Sequence, residues 1–408
     1  MRIGRLFERL EKMLVVNILA KKSHVSTPFW RDNRMIPIML QLFFAIFVLL
    51  LCGYLINNAL IGLERLGIDF GFDFLQRTSS FNISESLITF QPTDTYGRAL
   101  LVGILNTLKV SIIGVILTTI IGVIVGIARL SNNWLVRKLS GLYIEIIRNT
   151  PLLVQLFIWY FAVLLTLPSA QESISVAGFY FNNSGIAMPW FTTNDGTAVW
   201  VSLFIIGVVG AVIIWVIQLK RQIKNGKRTF PFLWSLATLI IMLVIAFIVS
   251  GSAPVNIDNP VLGNFNFTGG LRISSEFTAI LLGLVIYTAT YIAEIVRGGI
   301  QSVSKGQTEA AKALGIKNST MMRLIILPQA IRIIIPPVTS QYLNLTKNSS
   351  LAIAVGYQEL VSVGNTSMNQ SGHAIEMIII MISVYLIVSL ITSLVMNSFN
   401  RRMQLVER

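Results

Sequence analysis

Seven stretches of this chain run for about 20 residues with almost no charge, the length of helix that crosses a hydrocarbon layer. They are 38–56, 110–128, 151–170, 199–219, 230–249, 277–296 and 377–397, the sixth carrying Glu294 near its end. An eighth stretch, 333–356, is interrupted by Pro336, Pro337 and Lys347. Backbone in lipid has no water to bond to, so such runs must close their own hydrogen bonds as helices. Composition agrees. Only 12% of the 408 residues are charged and 54% are apolar, against about 25% charged in a soluble domain. The expected fold is all-α: a polytopic transmembrane helical bundle of about eight spans.

Loop charges orient it. Lys and Arg number 25 across 1–35, 129–142, 219–231, 297–332 and the residues after 400. The alternate loops hold four: Arg65, Arg77, Arg98 and Arg272. Basic loops stay cytoplasmic, so eight spans place both termini in the cytoplasm of a multi-pass protein. Residues 1–37 are polar and basic without a secretory pattern, which leaves the first apolar run as an anchor. A formal charge of +14 could suit nucleic acid, but no basic cluster is interleaved with aromatics on a polar domain. Cys52, the single cysteine, lies in an apolar run and excludes an intrachain disulfide framework.

The loops differ in character. Residues 57–99 contain an aromatic–acidic run at 67–74, readable as an interfacial element or as irregular loop. Segments 168–198 and 251–276 read as loops rich in Asn, Gly, Ser and Pro. The basic run 220–228 reads as an orientation signal or an anionic-lipid contact. No internal repeat relates the halves, which speaks against a secondary transporter. Such an ion-coupled transporter and a non-transporting scaffold are the competing classes.

The loop before the interrupted span carries a pattern. Glu309, Ala310, Ala311 and Gly315 are followed after nine residues by Ile325, Leu327 and Pro328. A carboxylate suits a helix start, alanines leave a smooth helical surface, and Gly315 can close the helix in a left-handed conformation. The pattern reads as a compact helix–turn–helix suited to docking, or as a connecting loop alone. It resembles the conserved cytoplasmic loop of ABC importer permeases. Residues 106–109, 143–155 and 344–351 add a resemblance to the histidine, glutamine and polar amino-acid subfamily. The chain is most similar there to the larger permease subunits of general L-amino-acid transporters.

That resemblance implies a type I ABC importer permease-like core of five spans plus three additional spans. The expected organisation is an amino-terminal segment, extra span and loop (1–99), core (100–167), an insertion with two spans (168–275), and core with the coupling loop (276–408). It also implies ATPase coupling through Glu309, Ala310, Ala311, Gly315, Leu327 and Pro328. The implied partners are two ABC ATPase subunits, a homologous second permease subunit and an extracytoplasmic substrate-binding protein. The implied cargo is polar L-amino acids of the glutamate, glutamine, aspartate and asparagine kind, crossing a bacterial inner membrane by alternating access.

The chain itself lacks a phosphate-binding loop, since Gly226–Lys227 is followed by Arg228. His24 and His373 offer no metal or catalytic spacing. No catalytic residue, metal site or cofactor is expected in this subunit, and ATP with Mg is expected on the ATPases. A charge within the membrane is usually turned inward and functional. Lys347, Asn348, Ser349 and Ser350 are therefore the first substrate-contact candidates, unless Lys347 pairs with a carboxylate such as Glu359. Tyr287 and Tyr291 are pathway candidates or helix-packing residues. Glu145 with Arg148, and Glu294 with Arg297, stand three apart on a helix face and read as structural ion pairs.

Overall fold

The computed structural model describes residues 35–65, 70–226 and 228–403. The amino-terminal basic segment, part of the 67–74 run, Lys227 and Arg408 lie outside the described residues. The chain divides into two units, Met1–Gly71 and Phe72–Arg408. In the first, α1 (Met35–Arg65) is one helix whose stretch Ile36–Asn58 is long and apolar enough to span.

The second unit begins its bundle with α2 (Tyr96–Ala128), capped by the Thr95 hydroxyl, which accepts from the Arg98 amide. Its 33 residues make a rod of about 50 Å, longer than a hydrocarbon core of about 30 Å. The next helix, α3 (Trp134–Asn149), is capped by Asn133. It stops at Thr150, because Pro151 has no amide hydrogen and biases the residue before it to extended backbone. From there α4 (Leu152–Phe157), continued by a wide turn over Ile158–Leu164, leaves at 104° to α3. The run 151–170 is thus not one straight helix long enough to span by itself; with α3 it makes a bent pair.

The two segments expected as loops fold into strands. β1 (Ile174–Val176), β2 (Phe179–Asn182), β3 (Gly185–Met188) and β4 (Trp190–Thr192) precede two long helices. These are α5 (Thr197–Asn225) and α6 (Pro231–Ser250), and β5 (Asn256–Asp258), β6 (Val261–Leu262), β7 (Phe267–Thr268) and β8 (Leu271–Ser274) follow them. β1, β2, β3 and β8 make one antiparallel sheet in that order, with β4–β5 and β6–β7 as separate pairs. Pairing of β3 with β8 and of β4 with β5 closes the base of the α5–α6 hairpin. The hairpin packs through small residues: Gly207 lies against Met242, and the Ser235 hydroxyl donates to Ala211 O at 2.9 Å.

Ser274 then caps α7 (Ser275–Gln301). Gly122 and Gly126 of α2 lie so close to Ala289, Ile292, Ala293 and Val296 that a Cβ at Gly126 would stand 2.7 Å from Ala293 O. A helix-spaced pair of glycines is what allows this approach. α8 (Lys305–Ala313) and α9 (Asn318–Met321) lead through a wide turn into α10 (Leu327–Asn348). A 3-10 turn over Ser349–Val355, α11 (Leu360–Ser371) and α12 (Ala374–Met403) complete the chain. Pro336 and Pro337 lie inside α10, which continues past them. The sharp break thus falls between α3 and α4, and the stretch expected to be broken is helical to Asn348.

Among the described residues, seven helices are long and apolar enough to span, or eight counting the bent pair. One buried cluster, with Val110, Leu156, Ile280, Leu284, Leu345 and Tyr357, ties α2, α4, α7 and α10 together. A second, with Phe74, Tyr96, Leu100, Leu360 and Met377, seats the segment before α2 on α11 and α12. α7 thus joins a strand end of the bundle, where β8 precedes it, to a hairpin end, where the α8–α9 helix–turn–helix follows it.

Candidate functional site

At the hairpin end, α8 buries Ala311 against Met321 and Ile326. The amide of Ile316 donates to Ala311 O and that of Gly315 to Lys312 O, both at 3.0 Å. This double bond pattern needs a left-handed residue, and Gly315 supplies it at φ +70° with open space around it. Glu309, Ala310, Leu314 and Gly315 are left exposed on one compact tip, Leu314 at 78%. Leu327, exposed, and Pro328, half-buried, start the return helix. The sequence pattern thus forms the helix–turn–helix expected of it.

In the bundle, the elbow at Thr150–Pro151 frees carbonyls that a helix would have used. The Gln155 amide nitrogen covers two of them, Ile147 O at 2.8 Å and Thr150 O at 2.9 Å. The Tyr143 hydroxyl donates to Ile286 O at 2.7 Å and fixes α3 to α7. Beside the elbow is a cavity of about 390 Å³ lined by Arg129, Glu145, Arg148, Asn149, Tyr291 and Glu294, among others.

The ion pairs differ from the two expected. Glu294 binds Arg297 at 2.7 Å, as its spacing suggests, and also meets Arg129 at 3.2 Å. Glu145 and Arg148 do not pair, which corrects the second expectation: the Arg148 guanidinium lies 4.9 Å from the centre of the Tyr291 ring. Tyr291 in turn shares a hydroxyl–hydroxyl bond of 2.9 Å with Tyr287. Among the described residues neither Glu145 nor Arg148 has an oppositely charged partner within 4 Å. An acid and a base that leave each other's charge unspent in one cavity can receive a zwitterion.

Lys347 stands elsewhere, exposed in the last turn of α10. Ser349 and Ser350 turn their hydroxyls back to Thr346 O and Lys347 O, at 2.7 and 2.8 Å. The structure gathers Tyr291, Arg148 and Glu294 at that cavity, with Tyr287 bonded to Tyr291, and does not bring the 347–350 group there.

Glu359 does not pair with Lys347. It is fully buried as the cap of α11, accepting from the amides of Val361 and Ser362 and the hydroxyls of Thr107 and Tyr385. Burial pushes its carboxyl above the ordinary carboxylate range, against the pull of those donors. Arg129, at the end of α2, carries no sequence signal beyond its type and reaches the cavity through its contact with Glu294. Asn149 lies in the 143–155 stretch, whose pattern points to no site role for it.

The bundle has seven or eight candidate spans among the described residues and an exposed helix–turn–helix tip. The family model for binding-protein-dependent transport system inner membrane components matches residues 227–405. The general L-amino acid transport system permease protein AapQ of Rhizobium johnstonii is 50% identical over 86% of this chain and 88% of its own length. The glutamate/glutamine/aspartate/asparagine transport system permease protein BztB of Rhodobacter capsulatus is 38% identical over 92% of this chain and 96% of its own. A crystal structure of an amino acid ABC transporter with histidines aligns at TM-score 0.46 and 21% identity, covering 75% of this chain and 95% of that one. The chain belongs to the amino-acid ABC transporter permeases of this inner membrane component family.

Proposed function

We propose that this chain is a translocation subunit that imports polar L-amino acids across a bacterial inner membrane, with ATP hydrolysed on two separate ABC ATPase subunits. The observation that carries the reading is the exposed tip made by Glu309, Ala310, Leu314 and Gly315 between two membrane helices. A short rigid knob at the end of α7 is a handle through which a soluble motor can move the bundle. The relatives' substrates support glutamate, glutamine, aspartate and asparagine as cargo. In this reading both termini and the tip face the cytoplasm, and the strands face the binding protein that delivers substrate. A homologous second permease subunit completes the pathway. ATP and Mg act on the motor subunits.

Substrate passes Lys347 near the strand end and the elbow cavity nearer the hairpin end, where Arg148 offers a donor to a carboxylate and Glu145 an acceptor to an ammonium. The test is uptake by the reconstituted complex with its binding protein. Uptake is lost when the ATPase lacks its phosphate-binding lysine and survives collapse of the proton gradient. Uptake that follows the gradient and ignores the ATPase variant would sink the reading in favour of an ion-coupled transporter.

A further inference from the structure

The insertion and the segment before α2 line a polar pocket of about 420 Å³ at the strand end, which shares no residue with the elbow cavity and does not include Lys347. One wall is the strap 84–86; the other is the β2–β3–β8 sheet. Two charges of opposite sign line it, Glu85 on the strap and Arg272 on β8.

Both walls are held in place. The Asn106 amide nitrogen donates to Glu85 O and Gln358 O, each at 2.8 Å, and Ser84 donates its amide and hydroxyl to Gln358 Oε1. The Glu85 carboxylate takes Lys109 on one oxygen and the Ser274 hydroxyl on the other. On the sheet, Gly185 sits opposite Ser274 at φ +130°, with Ile273 O filling the space that a Cβ would need. Only glycine permits that closure.

The level of the pocket matters. Lys109 is thirteen residues into α2, about 20 Å from its start, yet its ammonium lies 4.2 Å from the ring centre of Phe277, in the first turn of α7. α2 therefore rises well past the start of α7, and the pocket sits where α7 begins.

Donors and acceptors remain available. Arg272 spends one bond, from Nη1 to Phe267 O at 3.0 Å, of the five a guanidinium offers. Among the described residues no carboxylate lies within ion-pair distance of it. An ionised carboxylate has about four acceptor positions, and Glu85 uses two. Asn182 and Asn266, whose side-chain oxygens accept from the Ser184 and Phe267 amides, also line the space with Ser84 and Ser184.

We propose that this pocket is a receiving site for a free α-amino acid, with Arg272 taking the α-carboxylate and Glu85 the α-ammonium. The site rests on the reading that the strands face the binding protein. It also gives the insertion a purpose, which is to hold substrate at the mouth of the pathway before the spans admit it. The bidentate fit of guanidinium to carboxylate favours this pairing.

The test is equilibrium binding of radiolabelled L-glutamine to the purified permease–ATPase complex without binding protein. Wild type should bind saturably. Arg272→Gln should weaken binding at least tenfold while complex assembly and basal ATP hydrolysis stay unchanged. Glutamine with its α-carboxylate converted to an amide should fail to compete. Glu85→Gln should weaken binding as well, and Arg272→Lys should restore part of what Arg272→Gln loses. Unchanged affinity in Arg272→Gln, full competition by the amide, or no saturable binding to wild type each overturns the site. None of these outcomes touches ATP-dependent uptake, so the permease reading is judged separately by its own assay.

Discussion

Lys347 stands at the end of α10 with its ammonium exposed and no carboxylate within ion-pair distance among the described residues. A hydrogen bond to a charged group is worth about 1.5–3 kcal/mol, roughly ten- to a hundredfold in affinity or rate. Lys347→Ala should lower uptake by about that factor, while the complex assembles and the binding protein still binds substrate. Uptake and substrate-stimulated ATP hydrolysis both at wild-type levels would make Lys347 a bystander. The same scale shows what spacing can and cannot foretell. Glu294 and Arg297 pair as an i, i+3 couple should. Glu145 and Arg148 have the same spacing, but a ring from another helix takes Arg148. Local spacing gives the opportunity, and tertiary neighbours decide whether it is used.

The α8–α9 element can be tested as a unit. Glu309→Lys reverses an exposed charge, and Gly315→Pro forbids the positive φ on which the turn closes. Copurification of the ATPase should fall severalfold in both variants while membrane insertion is unaffected. Normal copurification with normal uptake in the pair would remove the tip from the mechanism. The helix start of this element is not legible in the sequence, since α8 begins at Lys305, four residues before the carboxylate expected to mark it. Its alanine run and closing glycine are legible because they act within a few residues. The apolar runs are legible for the same reason. The elbow is only half legible. Pro151 marks a break, but the apolar run after it looks like a whole span, and only the folded chain shows the 104° turn and the seating of α3 on α7. The strands are not legible. Each is two to four residues long, and β3 finds its partner β8 across the whole α5–α6 hairpin. The elbow cavity and the strand-end pocket depend on those long-range meetings and are hidden with them.

For the whole molecule, the proposed orientation puts the strands and the basic end of α5 on opposite faces of the membrane. In a Cys52→Ala background, Ser184→Cys should react with an impermeant thiol reagent in cells with a permeable outer membrane, and Lys224→Cys should react only after lysis. The reverse pattern would invert the topology. The close seating of Gly122 and Gly126 on α7 has a mechanical consequence. Two rods locked that tightly bend together or not at all, so α2 and α7 act as a single stiff beam. α7 alone is 27 residues, about 40 Å. One end of it runs into the docking tip; at the other, Ser274 grips Glu85. A tilt of about ten degrees imposed at the tip would swing the far end by about 7 Å, more than twice the length of a hydrogen bond. In the proposed reading, a stroke applied at the tip on one face of the membrane is carried along this beam and felt as a loosened latch on the other.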